Sequence, residues 1–443
     1  MASWKDFTDG GDWQARLRQY GLSDRAAALH AGVFARLAGR MGDAPSAALF
    51  VPGRIEVLGK HTDYAGGDSL VCAVERGFCM LVAAVDTAAA TIEDAARGEQ
   101  IDLRASQPGS PAWGRYPSTV WNRLNTHVGP FASGVRILFE STLPADAGLS
   151  SSSALMVGTF LALSAVYGFE RDARYRAVIA TDLDRADFLG HIENGQTFRT
   201  LAGEQGVGTF GGSQDHAAIC CSVAGAVSRF RYAPMARAGM ASLPEDLTFV
   251  VALSGVEAQK TGAARAAYNE ASARANRIAE RWCAAHGQPW QRLRTIVESP
   301  GFSPAAMERL LEGDAPLARR FRHFWAEHGE LVPAAFEAFV RHDWSVLGDV
   351  VDRSQALAES LLGNQVPETV ALAQLARSHG ALAASAFGAG FGGAVWALVP
   401  AHEATRFRTR WLDSYRAVFP ERSQAGVFES RPGPPAGYMV EVP

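Results

Sequence analysis

Apolar residues along the chain change spacing from segment to segment, and the changes mark its elements. Between residues 21 and 42 they recur at helical spacing among Arg and His, which predicts a surface helix. Ala47 to Leu58 is rich in Val, Ile, Leu and Phe and is broken by Pro52-Gly53, so it reads as strand, turn, strand. Val135 to Glu140 alternates apolar and polar positions, as a half-buried strand does. A loop follows, Leu-Pro-Ala-Asp-Ala-Gly-Leu-Ser-Ser-Ser-Ser, and then an apolar stretch from Leu155 to Phe169 that predicts a buried helix. Ala226 to Tyr232 and Leu247 to Leu253 are further strand candidates. From about 260 to 380 the spacing is helical, with breaks at Pro300 to Pro304 and Gly313 to Pro316. Ala383 to Pro400 carries a glycine-rich turn into an apolar strand, Ala-Val-Trp-Ala-Leu-Val. The expected class is α/β (α+β) with two intimate domains, residues 1–207 and 208–443.

Composition narrows the partners. The chain has 443 residues, 48% apolar and 20% charged, ordinary for a soluble globular protein. Lys and Arg total 42 against 46 Asp and Glu, a net charge of −4. That balance argues against a nucleic-acid or anionic-membrane partner, while leaving room for a local basic cleft. The Leu155–Phe169 run is interrupted by Gly, Thr and Ser and falls short of the roughly 18 apolar residues of a membrane span. The N-terminus lacks a basic segment followed by an apolar run, so no signal peptide is expected. Cys72, Cys79, Cys220, Cys221 and Cys283 form no Cys-x-x-Cys pair, which predicts neither disulfide framework nor zinc site and fits a reducing cytoplasm. With no coiled coil in the pattern, a monomer is the expectation.

Four segments carry candidate chemistry. In Pro144 to Ala154, Gly148 and Leu149 precede the run Ser150, Ser151, Ser152, Ser153, which opens the apolar helix. A helix N-terminus offers unpaired N–H groups and a positive dipole end to a phosphate, and a serine hydroxyl there can reach Mg²⁺. The plainer alternative is an N-cap, for which one serine is enough. Gly388-Ala389-Gly390-Phe391-Gly392-Gly393 precedes a strand, so it is no dinucleotide fingerprint; it is either a tight turn or a backbone wall over a ligand. Val51 to Gly67 gathers Arg54, Lys60, His61 and Asp63. It misses the phosphate-loop pattern by one residue between the glycines and by having His61 after Lys60. It suits a polyhydroxylated ligand, or else a surface ion pair. Asp215, in Gly211-Gly212-Ser213-Gln214-Asp215-His216, either caps a helix or orients and deprotonates a nucleophilic hydroxyl.

Together these segments resemble the signature motifs of GHMP kinases, closest to the galactokinase branch. Gly53 to Tyr64 reads Gly-Arg-Ile-Glu-Val-Leu-Gly-Lys-His-Thr-Asp-Tyr, similar to that branch's Gly-Arg-x-Asn-Leu-Ile-Gly-Glu-His-x-Asp-Tyr. Pro144 to Ser152 resembles its Pro-x-Gly-x-Gly-Leu-Ser-Ser-Ser, and Gly388 to Gly393 its Gly-x-Gly-Phe-Gly-Gly. Gly212 to His216 resembles Gly-Ile-Met-Asp-Gln, and Ala267-Tyr268-Asn269 resembles part of Ser-Glu-Tyr-Asn. The resemblance implies a two-domain GHMP-kinase fold with the active-site cleft between the domains. It implies ATP as co-substrate with Mg²⁺, and transfer of the γ-phosphate to the anomeric hydroxyl of a galactose-like sugar. Asp215 would accept the hydroxyl proton and Arg54 would stabilise the attacking oxygen. Lys60, His61, Asp63, Gly212 and Tyr268 would line the sugar. Gly148, Leu149 and Ser150 to Ser153 would wrap the ATP phosphates, with Ser152 near Mg²⁺, and Gly388, Gly390, Gly392 and Gly393 would form the third motif.

The sequence departs from the galactokinase pattern at three positions. Lys60 stands for a glutamate, Glu56 for an asparagine, and Asp146 for the first glycine of the phosphate loop. Lys60 opens a second reading, a uronate (galacturonate or glucuronate) 1-kinase with Lys60 pairing the 6-carboxylate. Its plain alternative is a pairing of Lys60 with Glu56 or Asp68. A reading of another class, a sugar- and ATP-binding sensor without turnover, would be favoured by a missing base. Arg54, Asp215 and the serine run are all present.

Overall fold

The computed structural model describes residues 12–42, 45–104, 110–257 and 262–441. Two sheets form its frame. The first holds β1 (Ala47–Leu58), β2 (Asp68–Val85), β3 (Ala90–Asp94), β4 (Glu99–Asp102), β5 (Gly134–Ser141), β6 (Ala226–Arg231), β7 (Ala236–Ser242) and, returning from far along the chain, β12 (Gly437–Glu441). Its order is β12-β1-β2-β5-β3-β4, with β6 pairing β2 and β7 beyond it; only β3 and β5 run parallel. The second sheet is antiparallel, β11-β8-β10-β9, from β8 (Leu247–Leu253), β9 (Ala383–Ala386), β10 (Ala394–Pro400) and β11 (Gly426–Ser430).

The helices that matter below are α1 (Asp24–Met41), α2 (Ser151–Tyr167), α3 (Asp182–Asn194), α4 (Gln214–Cys221), α5 (Gly262–Ala285), α6 (Ala315–Ala326), α7 (Pro367–Ser378) and α8 (Ala404–Val418). Helix α1 covers the outer face of β1 and β2 with Val33, Phe34 and Leu37. Helix α2 is apolar all round and packs on their inner face, as a helix without a polar stripe must. Strand β10 shows how the layers are stitched. Ala394, Trp396 and Leu398 face the main core, while Val395, Ala397 and Val399 face α7 and α8. That period of two lets one strand serve two cores. A separate cluster under α5 and α6 includes Tyr64 and Ala65 and so grips the turn after β1.

Two expectations change. Pro52-Gly53 is no turn. The strand runs through it, with Pro52 opposite Gly77 and a register shift before Arg54. A bulge tolerates a residue that cannot donate. Gly77 lets the backbones approach, since a Cβ there would stand 2.3 Å from the Val51 carbonyl oxygen. A cut between residues 207 and 208 does not divide the sheets either: residues 226–242 and 437–441 add strands to the first sheet. The strands expected at Val135–Glu140, Ala226–Tyr232 and Leu247–Leu253 are present, as is the buried helix after the serine run. All five cysteines are buried and unpaired with one another.

Candidate active site

Strand β1 delivers the first groups. Arg54 and Glu56 are two residues apart and share a face, so both reach the end of the sheet where the chain turns. Beyond them a single 3₁₀ turn, Asp63–Ala65, swings His61 and Asp63 toward the same spot. Arg320 of α6 holds this turn by donating to the His61 carbonyl and to the Tyr64 hydroxyl, the latter at 3.2 Å. Nothing in the sequence around Arg320 announces this contact, because its partners lie some 250 residues away.

The serine loop delivers the second set. Ser150 adopts a left-handed conformation (φ 60°) and makes no side-chain cap to α2. The helix therefore starts with its first N–H groups uncapped, the state suited to an anion. Ser151 and Ser152 are half-buried at that end. Ser153 is different: it is buried, and its hydroxyl donates to Glu193 Oε2 at 2.9 Å and lies 3.4 Å from Asp215 Oδ2. Its hydroxyl is held inside an acid network. Asp146 is exposed with φ 48°.

Helix α4 delivers Asp215. The N-cap of this helix is Ser213, so the carboxylate is not spent on capping. Its Oδ1 accepts from Arg54 Nε at 2.8 Å, and Arg54 Nη1 donates to the Gly148 carbonyl at 2.7 Å. One buried guanidinium thus ties the candidate base to the phosphate loop. Burial alone would lower the Arg54 pKa, but Asp215 and Glu56 outweigh it and the net shift is upward. Asp63 Oδ2 accepts from the Gln214 N–H at 3.2 Å; burial raises its pKa, against that hydrogen bond. Glu56 is pushed up to about 7, chiefly by burial, with Arg54 and Lys60 opposing.

The third motif closes the site from the second sheet. Gly388, Gly390, Gly392 and Gly393 all have φ between 77° and 125°, a region that side chains resist. A Cβ on Gly390 would stand 2.1 Å from the Asn364 carbonyl oxygen. The loop presses on the first motif through His61 Nε2, 3.2 Å from the Ala389 carbonyl oxygen.

A narrow cavity of about 40 Å³ is lined by Arg54, Glu56, His61, Asp63, Asp215 and Tyr268, with Gly212 and Gly388 in its walls. At this closure it holds little more than a water molecule. A broader cavity of about 470 Å³ lies across Gly211 and Gly212 and shares Asp63 with it. The broader one touches neither Arg54 nor Asp215, so the chemistry belongs to the narrower. Lys60 is the main displacement. Its ammonium group is buried and donates to Ser385 Oγ at 2.7 Å, and the residue does not line the cavity. Burial lowers its pKa. Neither Glu56 nor Asp68 bonds it directly. Sequence reasoning missed Glu193, which no motif or apolar periodicity in its helix marks.

Similarity to known proteins agrees with this geometry. The family model described as the galactokinase galactose-binding signature matches residues 35–84, the GHMP kinase N-terminal domain matches 115–194, and the GHMP kinase C-terminal domain matches 335–417. A galactokinase of Thermotoga maritima is 26% identical over 369 residues, covering 83% of this chain and 93% of that one. A galactokinase of Actinobacillus pleuropneumoniae is 30% identical over 112 residues, 25% of this chain and 29% of that one. Among solved structures, the galactokinase of Lactococcus lactis complexed with galactose superposes with a TM-score of 0.76 at 21% identity, covering 94% of this chain and 100% of that one. An L. major mevalonate kinase in complex with R-mevalonate gives 0.54 at 14% identity, covering 88% and 98%. With all three models matched in order along one chain, and the motif residues gathered around one buried arginine, the chain belongs to the GHMP kinase superfamily, on its galactokinase-like branch.

Proposed function

We propose that the chain is an ATP-dependent sugar kinase of galactokinase type, moving the γ-phosphate to the anomeric hydroxyl of galactose. The observation that carries this reading is the bridge from Asp215 through Arg54 to the Gly148 carbonyl. It couples a carboxylate that can take a hydroxyl proton to the loop that would hold the phosphates. The anomeric oxygen attacks the γ-phosphorus, its proton passes to Asp215, and the bond to the β-phosphate oxygen breaks with its electron pair leaving on ADP. Arg54 supplies positive charge next to the transferring group, where a dry cavity makes it count most. His61, Asp63, Gly212 and Tyr268 would contact the sugar, since all four line the cavity.

ATP would lie with its phosphates at the start of α2, against Gly148, Leu149 and Ser150 to Ser152. Among the described residues no group of three metal-ligating side chains forms a cage. Mg²⁺ would arrive with the nucleotide, an arrangement that needs only one or two protein oxygens. Ser152 and Glu193 are the residues that would hold it, and the ion would neutralise phosphate charge. Galactose is favoured over a uronate because Lys60 faces Ser385 and away from the cavity, and because the named relatives are galactokinases. A reducing cytoplasm is in keeping with five buried, unpaired cysteines; a monomer is proposed from the sequence pattern alone.

The test is ADP release from Mg²⁺-ATP by purified protein with galactose, galacturonate, glucuronate, arabinose or N-acetylgalactosamine. Turnover strongest with galactose is expected. Turnover only with uronates overturns the sugar assignment, and silence throughout overturns the kinase.

A further inference from the structure

Glu56 is a buried carboxylate with half of its bonding capacity unused. Only 3% of the residue is exposed. Oε2 accepts from the Gln214 side-chain amide at 2.5 Å, while Oε1 has no hydrogen-bond partner among the described residues. The side chain lines the reaction cavity beside Arg54, His61 and Asp63. A buried acceptor without a donor is costly, and its retention calls for a reason such as a missing ligand. A sugar brings hydroxyl donors. Each hydroxyl has one proton to give, and Asp215 takes that of the anomeric one, so Glu56 must meet another. Two buried cations, Arg54 and Lys60, supply the countercharge that keeps a carboxylate tenable there. We infer that Glu56 is a specificity-determining residue that accepts a hydrogen bond through Oε1 from a non-anomeric hydroxyl of the sugar. The inference rests on the sugar-kinase reading above.

The experiment compares wild type with Glu56→Gln and with Glu56→Met, which keeps volume and removes both oxygens. KM and kcat are measured for galactose and for its 2-, 3-, 4- and 6-deoxy derivatives, and thermal midpoints without ligand. Loss of the acceptor in Glu56→Met should raise KM for galactose by about 10- to 100-fold, and Glu56→Gln, whose amide oxygen still accepts, should raise it less. kcat should stay within about threefold, because the contact exists before and during transfer. One deoxygalactose should show the same KM with wild type and Glu56→Met, and so identify the hydroxyl. Both variants should melt below wild type, since Arg54 and Lys60 lose a buried countercharge, so KM is read at a temperature where each is folded. An unchanged KM in a folded Glu56→Met overturns the inference and leaves the kinase standing. A KM raised equally for galactose and every deoxy derivative makes Glu56 structural and also overturns it. Wild type inert on galactose instead overturns the galactose reading and the inference with it.

Discussion

Adding one methyl group at Gly212 should disable the site without unfolding the protein. The backbone there is not in the left-handed region, so alanine is conformationally acceptable. Space is the difficulty. A Cβ would stand 2.4 Å from Asp63 Oδ2, 2.5 Å from its Cγ and 2.7 Å from the Tyr64 nitrogen. Real contacts essentially never fall below 3.0 Å, so the wall must part by at least 0.6 Å. Either Asp63 rotates and gives up the Gln214 N–H, or the segment leading into α4 shifts and carries Asp215 with it. A displacement of that order at reacting groups costs about 10- to 100-fold in kcat/KM, or roughly 1.4 to 2.7 kcal/mol of transition-state binding. Strain from overpacking costs about 1 to 3 kcal/mol of stability. The assay is steady-state ADP release with galactose, beside thermal unfolding. Gly39→Ala is the control, since nothing lies within 4 Å of a Cβ at that point of α1. It should keep full activity and gain about 0.5 to 1 kcal/mol from helix propensity. Wild-type kinetics from Gly212→Ala would refute the reasoning, because the wall would then have room that the distances deny it.

Asp215→Asn should lower kcat by about 10²- to 10⁴-fold as a general base is lost. Its unfolding midpoint should fall below that of wild type, since buried Arg54 keeps a hydrogen bond but loses a countercharge, so activity is read on folded protein; activity within tenfold would remove Asp215 from its role. His30 gives a pH signature. Its Nε2 lies 2.8 Å from the Glu75 carbonyl oxygen and its Nδ1 3.5 Å from Cys79 Sγ, and burial pushes its pKa down to about 4. The unfolded chain therefore takes up a proton first, and stability present above pH 6.5 is lost as pH falls toward 4, by roughly 3 kcal/mol. Denaturant titrations of wild type and His30→Leu between pH 7 and 4 should differ in slope by that amount, and parallel slopes would contradict the burial argument.

Local chemistry made much of this legible in the sequence. The Leu155–Phe169 run predicts a buried helix because apolar residues dominate every face of it, and the structure places α2 under β1 and β2. The same holds for the glycines at 388 to 393, each forced to positive φ. What sequence pattern could not supply is direction. Lys60 lies in the motif segment with His61 and Asp63, yet its side chain runs to Ser385, more than 300 residues on. Pro52-Gly53 has turn composition, but pairing with Gly77 keeps it in the strand. Strand β7, Ala-Arg-Ala-Gly-Met-Ala-Ser, is largely exposed and carries no apolar alternation to betray it. Glu193 and Ser153 are forty residues apart and meet only because α2 and α3 pack side by side.

The pairing of β12 with β1 has a consequence for synthesis. Ala47 bonds opposite Glu441, so the strand that presents Arg54 and Glu56 lacks one neighbour until residues 437–441 have left the ribosome, some 390 residues later. Throughout that interval β1 offers an apolar row of unpaired amides and carbonyls, the template on which nascent chains pair wrongly with one another. Segments made early must therefore wait beside a gap that only β12 can fill, and a ribosome stalled before it would leave behind a sticky fragment rather than a smaller enzyme.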